Sequence, residues 1–381
     1  MRLLLVTEDF PPSIGGIQSY CIELAHRFVN SCDAFAVAAP MHRGAARYDD
    51  RLPFPVFRTT ARTRVGMEAA STFAVPALCR QHGFDVVFHA QWNTAHAGLL
   101  ARGLGLVDRV FVGVHGRELL INLLGRRWNP VHRRLLRSVL PRVDHFVPVS
   151  RYTAELLGQA GVDSRRVTVV NNGVDPQRFA PTDGSEWRRR RSLGSAPLLL
   201  TVCRLVRRKG VDTVLHALAQ LIRADSEVRY VIGGTGPDES RLRRLARDLG
   251  LERHVIFAGH ISDEELPTAL SAADVFVMPA RSRKPDVEGF GIVFLEANAC
   301  ETAVVGARAG GVPDAVEAGV TGELVPPDDP AALAEVLGRL LADPRYTRSL
   351  GRRGRQRILE HKTWDHRAQT ILALFEAEGR R

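Results

Sequence analysis

Short apolar, β-rich runs alternate with helical patterns along the whole chain of 381 residues, and the series starts again near its midpoint. The first series of strand candidates comprises 2–6, 34–39, 85–89, 110–114, 145–149 and 167–170, and the second comprises 198–203, 228–233, 254–257, 274–278, 303–306 and 322–325. This alternation indicates βαβ units, and runs that are apolar on both faces indicate parallel sheets covered by helices on both sides. The sequence therefore predicts an α/β fold of two Rossmann-like, doubly wound domains, whose loops at the carboxyl ends of the strands face one cleft.

The division between the domains is expected in a polar region near residue 180. A strand followed by turn formers ends the first series, and a connection containing Arg188–Arg191 follows as the linker region. We therefore predict an N-terminal domain over residues 1–180 and a C-terminal domain over residues 181–363. An amphipathic pattern with no strand after it predicts a last helix over about 364–381 that packs back on the first domain.

The formal net charge of +10 comes almost entirely from arginine, because lysine occurs at three positions only, Lys209, Lys284 and Lys362. Such a charge attracts phosphates, anionic lipids and nucleic acids. No nucleic-acid motif accompanies it, so nucleic acid is not expected as a partner. The five cysteines lie far apart without metal-type spacing, the first apolar run meets Glu8 and Asp9 at once, and no run is long enough to cross a bilayer. The sequence predicts a cytoplasmic protein with reduced thiols.

Two carboxylates, Glu288 and Glu296, lie eight residues apart and bracket two glycines and an apolar run. We expect Glu288 in a loop and Glu296 about two turns inside the following helix, so that the acids lie at different depths of one pocket. The amides of Gly291, Ile292 and Val293 then fall at the start of the helix, where unpaired N–H groups favour an anion. The segment predicts recognition of both phosphate and hydroxyl groups. The alternative is two glutamates without a joint role.

Arg204 and Lys209 belong to a basic loop that opens after the strand at 198–203, before a helix that begins near Val211. At a strand end and a helix start, both side chains can reach an anion. Arginine offers phosphate oxygens a planar fork, and lysine offers a compact charge. The rarity of lysine in this chain favours a specific role for Lys209 over the alternative, a solvated basic loop.

Two further strand ends of the second half carry candidates for contact with a nucleotide. The backbone groups of His260 and Ile261 can pair with a base, and a plain turn capped by Ser262 or Asp263 is an equal alternative. The glycine-rich segment 233–237 lacks the lysine and the spacing of a nucleoside-triphosphate loop. It is therefore expected to support the nucleotide site or to have no role in it.

The first half carries fewer candidates, Gly16 and His115. Gly15 and Gly16 follow the first strand and allow backbone to approach a ligand, although a tight turn also explains the pair. His115 directly follows the strand at 110–114. Its imidazole can donate a hydrogen bond to a sugar hydroxyl or stabilise charge that develops during a transfer. A purely structural histidine is the alternative.

A basic segment near residue 130 is a candidate for contact with an anionic surface. It contains Arg126, Arg127, Arg133, Arg134 and Arg137 around Trp128. A helix with such a stripe can rest on an anionic membrane or bind an acidic acceptor. The default alternative is a solvated helix face.

These residues resemble the retaining glycosyltransferases of the GT4 family, which are two-domain enzymes of the GT-B fold. The resemblance runs nearly end to end and includes Gly15–Gly16, His115, Arg204, Lys209 and the Glu288 to Glu296 spacing with Gly-Phe-Gly between them. Within the family, the segments 9–20 and 287–293 are most similar to phosphatidylinositol mannosyltransferases that use GDP-mannose. Enzymes that use UDP-sugars share much of the same pattern.

The resemblance implies that the N-terminal domain binds the acceptor and that the C-terminal domain binds the nucleotide-sugar. It also implies a role for each candidate. Arg204 and Lys209 would bind the diphosphate and stabilise its charge as the glycosidic bond breaks. Glu296 would accept hydrogen bonds from the ribose hydroxyls, and Glu288 would bind hydroxyls of the transferred sugar. His115 would contact the sugar from the first domain. The implied catalytic set is therefore His115, Arg204, Lys209 and Glu288.

The remaining donor contacts implied by the resemblance are backbone ones. Gly16 would let the first domain close on the diphosphate, and residues 291–293 would add amides to the phosphate or sugar. No cofactor and no metal are implied, because the cationic side chains stabilise the leaving group. Retention of the anomeric configuration, by same-face attack without a covalent enzyme intermediate, is implied by the family alone.

The function predicted in this way is transfer of a hexose, mannose from GDP-mannose, to a lipid or glycan acceptor such as a phosphatidylinositol mannoside. The transfer would take place at the cytosolic face of the membrane. One alternative is a GT4 transferase that uses UDP-glucose or UDP-GlcNAc for an envelope polysaccharide or glycolipid. An alternative of another class is a non-catalytic module that binds a nucleotide or glycan on anionic membranes.

Overall fold

The computed structural model of the chain describes residues 1–60, 64–124, 130–223, 227–282 and 286–377. The chain forms two compact units. The first unit comprises Met1–Asn172 and the chain from Trp364 onwards, and the second comprises Gly173–Thr363. Each unit contains one parallel sheet of six strands, so the predicted α/β fold with two Rossmann-like sheets is confirmed.

The first unit alternates strands and helices from its first residues. Its strands are β1 (Arg2–Val6), β2 (Ala34–Pro40), β3 (Val56–Thr59), β4 (Val86–His89), β5 (Arg109–Val114) and β6 (His145–Pro148). Its helices are α1 (Gly16–Phe28), α2 (Ala45–Asp49), α3 (Arg64–His82), α4 (Ala95–Gly103), α5 (Arg117–Leu124), α6 (Pro130–Val139) and α7 (Arg151–Gln159).

The second unit repeats this pattern after a short leading helix, α8 (Ser185–Arg190). Its strands are β7 (Leu198–Val202), β8 (Arg229–Gly233), β9 (Val255–Gly259), β10 (Val275–Met278), β11 (Ala303–Ala307) and β12 (Gly322–Val325). Its further helices are α9 (Val211–Arg223), α10 (Glu239–Asp248), α11 (Leu266–Ala272), α12 (Ile292–Ala299), α13 (Val312–Ala315), α14 (Pro330–Ala342) and α15 (Pro344–His361).

Both sheets have the same topology. The strand order is β3-β2-β1-β4-β5-β6 in the first unit and β9-β8-β7-β10-β11-β12 in the second. The order reverses between β1 and β4 and between β7 and β10, where the crossovers leave in opposite directions. Ligands of such sheets bind beyond the carboxyl ends of the two strands at this switch point. Each unit therefore has one favoured site for a ligand.

The strands are buried as parallel strands between two helical layers should be. Four of the five residues of β1 are fully buried, and every residue of β11 is buried. These runs contain almost no polar side chain, so both faces lose water when the helices pack on them. Their uninterrupted apolar character is what made them recognisable in the sequence.

Two elements of the first sheet differ from the prediction. Strand β3 was not predicted, because its four residues lie at the sheet edge, are only partly buried and include Arg58. The predicted strand at 167–170 is wrong as a strand. Val167 forms one isolated bridge with Phe146, and Thr168 and Val170 donate to the carbonyls of Phe146 and Pro148. This segment follows β6 without forming a ladder.

The arginine run Arg188–Arg191 is part of the second unit and not a linker. It ends helix α8, where Trp187 is buried and Arg188 donates to the carbonyl of Ala272 at 2.8 Å. The units divide at 172/173, eight residues before the predicted position. The reason is that Val174 pairs with Thr363 and so joins the second unit.

The last helix, α16 (Trp364–Ala377), belongs to the first unit. Its Phe375 is fully buried among Phe28, Phe88 and Phe111, with the ring of Phe111 4.6 Å away. The chain therefore enters and leaves the second unit at neighbouring points, Val174 and Thr363.

The described residues contain no helix that is both long and apolar enough to span a membrane. They also contain no group of three or more His, Cys, Asp or Glu side chains arranged to hold a metal ion. The five cysteines are free thiols, and burial raises the pKa of the Cys21 thiol to about 12. The expectation that no metal or cofactor is needed stays a prediction.

Candidate active site

The switch point of the second sheet brings a basic loop against a carboxylate. The loop after β7 contains a 3-10 turn, Arg207–Lys209, and Glu288 follows β10. Lys209 Nζ donates to Glu288 Oε2 at 2.6 Å, and Arg208 Nη1 donates to the same oxygen. The side chains of Lys209 and Glu288 are only 11% and 13% exposed. Lys209 and Glu288, predicted from separate segments, therefore meet at the favoured site of the sheet, together with Arg208, which was not predicted.

The charge of Glu288 is fixed by its partners. Burial alone raises the pKa of a carboxyl, but the charges of Lys209 and Arg208 outweigh burial and lower the pKa of Glu288 to about 2. Glu288 is therefore ionised at neutral pH. One carboxylate cannot balance the cations around it, so the loop keeps an excess of positive charge for an anionic ligand.

Glycines hold the basic loop in place by allowing backbone to touch backbone. A Cβ on Gly234 would lie 1.9 Å from the carbonyl oxygen of Cys203, and one on Gly236 would lie 2.2 Å from that of Leu205. Gly210 has φ +73°, and a Cβ on it would lie 2.1 Å from the carbonyl oxygen of Pro279. The glycine-rich segment 233–237 thus serves the loop that carries the cations, which is the supporting role left open by the sequence.

A buried ionic network supports the same loop from behind. Arg281 is 7% exposed, and its guanidinium binds both carboxylate oxygens of Asp212, at 2.8 and 3.1 Å. Its backbone N–H donates to the carbonyl of Arg208 at 2.7 Å. Arg241 binds Asp212 from the other side at 2.9 Å. The sequence analysis missed this network, because Arg281 belongs to a charged run in which solvent exposure is the usual state.

Arg204 lies in the basic loop but takes no part in these contacts. Its side chain is exposed and has no ion pair or hydrogen bond within the described ranges. Leu205 beside it is fully buried and its N–H donates to Thr235 at 2.9 Å, so the backbone is fixed. The backbone of Arg204 is therefore fixed, while its guanidinium has no partner within the described ranges.

Helix α12 starts directly after Glu288 as the sequence predicts. Gly291 is its N-cap, with φ +91°, and no side chain caps the first turn. The amides of Ile292 and Val293 therefore remain available to an anion or a polar group. Glu296 lies in the second turn and is partly buried.

The loop after β11 also reaches this site, and the sequence analysis did not name it. Gly311 N donates to the carbonyl of Glu288 at 2.9 Å, and a Cβ on Gly310 would lie 2.4 Å from that oxygen. The backbone of Glu288 is thereby fixed. The signal in the sequence was the pair of glycines after a buried strand.

His260 and Ile261 follow β9. His260 is exposed, whereas Ile261 is buried against Gly233. Neither residue makes a backbone hydrogen bond within the described part of the chain. Ser262 accepts from Glu265 N at 3.2 Å, so the turn is capped as in the alternative interpretation. Both features coexist, and the backbone edge at residues 260–261 is available to a base.

In the first unit, Gly16 begins α1 and has no steric reason to be glycine. Its φ is not in the left-handed region, and an added Cβ would meet nothing within 4 Å. The loop before it is anchored by Arg58, which donates to the carbonyl of Pro11 at 2.6 Å and pairs with Asp49. The space beside Gly16 is open to a ligand.

His115 follows β5 and is oriented by its neighbours. Its Nε2 lies 3.1 Å from the carbonyl oxygen of Ala90, and its ring stacks edge-on against Tyr20 at 4.8 Å. Burial lowers the pKa of His115, so the ring is neutral near pH 7. A carbonyl can only accept, so Nε2 carries the hydrogen and Nδ1 is an acceptor. Nδ1 has no partner among the described residues.

The switch point of the first sheet joins residues that the sequence analysis passed over. Gln91, after β4, donates from Nε2 to Asp9 Oδ2 at 3.0 Å, and its Oε1 accepts from Glu8 N at 3.2 Å. Gln18 on α1 donates to the other oxygen of Asp9 at 3.2 Å. The sequence signal for Asp9 and Gln91 was their position shortly after β1 and β4, the two strands between which the strand order reverses.

Comparison with known families and proteins agrees with this geometry. The profile described as "Glycosyl transferases group 1" matches residues 185–357, and "Glycosyltransferase Family 4" matches residues 14–178. The chain is 38% identical to the GDP-mannose-dependent alpha-(1-6)-phosphatidylinositol monomannoside mannosyltransferase of Mycolicibacterium smegmatis, over 100% of this chain and 99% of that protein. The chain is a family 4 glycosyltransferase.

Two other relatives show the range of the family. The chain is 33% identical to a GDP-mannose-dependent monoacylated alpha-(1-6)-phosphatidylinositol monomannoside mannosyltransferase of Corynebacterium glutamicum, over 100% of this chain and 99% of that protein. It is 31% identical to D-inositol 3-phosphate glycosyltransferase 1 of Catenulispora acidiphila, over 95% of this chain and 91% of that protein. The chain is therefore assigned to the glycosyltransferases as a class of enzyme, and the alternative of a non-catalytic binding module is rejected.

Solved structures show the same fold. Anabaena HepE in complex with UDP matches with a TM-score of 0.84 at 21% identity, covering 99% of this glycosyltransferase and 100% of that chain. Sucrose-phosphate synthase from Thermosynechococcus elongatus matches with a TM-score of 0.82 at 22% identity, covering 99% of each chain. These structures confirm the two-sheet architecture, and the family models and curated relatives confirm the GT4 resemblance.

The basic stripe of this glycosyltransferase is described in part. Arg126, Arg127 and Trp128 lie outside the described residues. Helix α6 places Arg134 and Arg137 on its exposed side. Contact of the stripe with an anionic membrane stays a prediction.

Proposed function

We propose that this glycosyltransferase moves mannose from GDP-mannose to a phosphatidylinositol mannoside, or to a closely related glycolipid, with retention of configuration. The observation that carries the proposal is the identity of 38% to a GDP-mannose-dependent mannosyltransferase over essentially the full length of both proteins. The site at the second switch point supports it, because it offers cations, helix amides and carboxylates in the arrangement that a nucleotide-sugar requires.

The proposed position of the donor diphosphate is the basic loop. Arg204 is unpartnered, and Lys209 and Arg208 share a single carboxylate, so the loop has two positive charges in excess over Glu288. A diphosphate supplies the missing negative charge. As the bond to the sugar breaks, more charge develops on the diphosphate, and cations already held in place stabilise it without rearrangement.

The carboxylates of the second unit are assigned to hydroxyl groups. When the diphosphate engages Arg208 and Lys209, Glu288 exchanges part of its ion pair for hydrogen bonds from hydroxyls of the transferred sugar. Glu296, deeper in α12, accepts from the ribose. The open amides at Gly291–Val293 add neutral donors. The base is assigned to the unpaired backbone edge at His260 and Ile261.

The first unit contributes groups for sugar hydroxyls. His115 is oriented with Nδ1 as an acceptor, so we assign it to accept a hydrogen bond from a sugar hydroxyl. This differs from the donating role that the sequence suggested. The open space at Gly16 admits the backbone contact assigned to the diphosphate. Asp9, Gln91 and Gln18 form a polar set suited to the acceptor's hydroxyls. No metal is assigned a role in this proposal.

The proposed place of action is the cytoplasmic face of a membrane, with peripheral attachment. The support is the lipid named as the acceptor of the M. smegmatis relative, together with the exposed arginines Arg134 and Arg137 of α6. Anionic headgroups attract such a stripe over a distance of about one Debye length.

The experiment that tests the proposal is a donor and acceptor panel. The purified protein is incubated with GDP-mannose, UDP-glucose or UDP-GlcNAc and with vesicles that contain phosphatidylinositol mannoside, and released nucleotide and labelled lipid are measured. We expect labelled lipid with GDP-mannose only. Absence of turnover for every pair, with a folded protein, contradicts the proposal.

A second candidate concerns the acceptor and donor. The relative from C. acidiphila is named for D-inositol 3-phosphate, and it covers nearly the whole chain. Inclusion of D-inositol 3-phosphate as a soluble acceptor in the same panel separates the candidates. Turnover with this acceptor and a UDP-sugar, without lipid labelling, would favour the second.

A further inference from the structure

A cavity of about 480 Å³ lies in the second unit at the edge opposite the active site. Residues that precede strands line it: Pro197 before β7, Asp274 before β10 and Thr302 before β11. The active-site loops follow the same three strands. In a parallel sheet all strands run the same way, so the cavity lies at the amino edge and the donor site at the carboxyl edge. We call it the amino-edge cavity.

Two arginines of α15 line the amino-edge cavity without any partner. Arg348 and Arg352 are one helical turn apart, so they lie on one face. Both are exposed, and neither makes an ion pair or hydrogen bond to any residue that the structure describes. A pair of guanidinium groups on one wall of a cavity forms an anion site, and phosphate is the anion that their fork geometry fits best.

Three other arginines of α15 bind backbone and so differ from the pair at the cavity, whereas Arg345 in the first turn is exposed outside it. Arg353 donates to the carbonyl of Val320 at 2.9 Å, and Arg357 to that of Ala315 at 3.1 Å. Arg355 donates to the carbonyl of Ala299 at the end of α12. Within one helix, three arginines are used to bind backbone, while the two at the cavity are left for a ligand.

The opposite wall of the cavity is held close to these arginines. Glu301 follows α12 in a left-handed conformation, at φ +60°. A Cβ on Gly351 would lie 1.8 Å from the carbonyl oxygen of Glu301, so α15 packs on this residue backbone to backbone. The Glu301 side chain is exposed, lines the cavity and has no partner in the described ranges. It can accept hydrogen bonds from hydroxyl groups.

Two threonines of the wall can also accept hydrogen bonds. The hydroxyls of Thr302 and Thr347 are buried and donate to the carbonyls of Leu270 and Leu340, at 2.7 and 2.6 Å. Their lone pairs remain for a ligand. Asp274 is already neutralised by Arg188 at 2.8 Å. The wall therefore combines cations for one phosphate with oxygen acceptors for hydroxyls.

We propose that the amino-edge cavity binds a small phosphate ester that carries free hydroxyl groups, with the phosphate on Arg348 and Arg352 and the hydroxyls on Glu301 and the threonines. The volume lies within the range of small-molecule sites. The same chemistry occurs in a soluble sugar phosphate and in a polyol phosphate headgroup of a lipid. The site is separate from the donor site, and the proposal does not depend on the identity of the donor.

Calorimetric titration of the full chain with glucose 6-phosphate tests the proposal, with glucose as the unphosphorylated control. A second arm measures binding to phosphatidylcholine vesicles with and without phosphatidylglycerol, which separates a soluble ligand from a headgroup. We expect saturable binding of glucose 6-phosphate or of the phosphatidylglycerol vesicles, and none of glucose. In the double variant Arg348→Gln, Arg352→Gln we expect that binding to weaken about tenfold or more.

Two matched variants locate the binding. Arg345→Gln removes an exposed arginine of the same helix outside the cavity and should leave binding unchanged. Lys209→Ala removes the cation of the basic loop and should also leave it unchanged. Binding that is lost with Lys209→Ala and retained in the double variant would place the phosphate at the basic loop and overturn the proposal. Absence of saturable binding of both probes would overturn it as well.

Discussion

The two sheets have one topology, yet their switch points carry opposite chemistry. In the second unit, Lys209 and Arg208 both form ion pairs with Glu288, so the basic loop carries a net positive charge. In the first unit, the neutral amides of Gln91 and Gln18 donate to the two carboxylate oxygens of Asp9. The position of a ligand is therefore set by the fold, and its kind is set by the side chains that follow the strands.

This difference explains the division of labour that we propose. A diphosphate carries charge that grows during the reaction, and only preset cations stabilise such a change strongly. The reacting ring of the acceptor, a sugar or inositol, presents uncharged hydroxyls, and amides and carboxylates bind these through hydrogen bonds. The two switch points of this glycosyltransferase match the two substrates in that respect.

The largest effect is expected at the cationic switch point. Lys209→Ala should lower turnover by about a hundredfold, because it removes a buried cation that we propose to stabilise the leaving group. Arg204→Ala should lower it at least about tenfold, because Arg204 is exposed before the donor binds. Steady-state rates with saturating acceptor measure both.

The matched control for the lysine is Lys362→Ala, since Lys362 lies at the far end of α15 and away from the basic loop. It should keep the wild-type rate. Near-normal rates in both Lys209→Ala and Arg204→Ala would show that the diphosphate binds elsewhere, and the comparison of the switch points would lose its basis.

A smaller effect is expected from Glu288→Gln, which keeps the shape and removes the charge. A hydrogen bond to a neutral amide is weaker than one to a carboxylate by about 1.4 kcal/mol, so turnover should fall about tenfold. The same variant tests the ion pair through stability. The pKa of Glu288 is lowered from 4.5 to about 2, so its contribution is complete above pH 4.5 and is lost as the pH falls towards 2.

The measurement is the difference in free energy of unfolding between wild type and Glu288→Gln from pH 7 to the acid limit of folding. It should be constant above pH 4.5 and shrink below it. A difference that does not change with pH would mean that Glu288 is not held as a carboxylate by its two partners.

The sequence predicted the cationic site better than the neutral one, for a physical reason. Arg204, Lys209, Glu288 and Glu296 are charged residues beside glycines and buried strands, a combination that packing alone rarely produces. Asp9 and Gln91 are ordinary polar residues, and only the strand order shows that they meet. Contacts between distant segments of this kind require the topology.

The same limit explains the misplaced charged runs. Arg188 was assigned to a linker and Arg281 was given no role, because runs of charged residues are usually exposed to solvent. In the structure each meets an acid from another segment, Asp274 and Asp212. Local sequence gives the charge of a residue but not its partner, so the network behind the basic loop was beyond prediction.

An intermediate effect is expected at His115, on the neutral side of the comparison. Because burial lowers its pKa below 6.5, the ring gains a proton only in acid, and Nδ1 then ceases to accept. The rate constant kcat/KM should therefore fall as the pH decreases below 6.5. His115→Gln keeps a donor for Ala90 and loses the acceptor, so it should reduce kcat/KM about fivefold and remove this acid limb.

His115→Asn is the control, because its amide places a polar atom near the former Nδ1. It should retain more activity than His115→Gln. If both variants keep the acid limb of wild type, another group titrates there, and His115 returns to the structural role that the sequence left open.

The smallest effect is expected at Gly16, where no side chain is involved at all. Neither φ nor packing requires glycine at this position, so Gly16→Ala should leave the melting temperature nearly unchanged. If a substrate approaches the backbone there, the added methyl group blocks it, and we expect KM for the donor to rise about threefold, or about 0.6 kcal/mol. Gly158→Ala is the matched control, because Gly158 is also a helical glycine of the first unit with open space around it. An equal KM in both variants would remove Gly16 from the donor site and leave the second switch point as the sole anchor of the diphosphate.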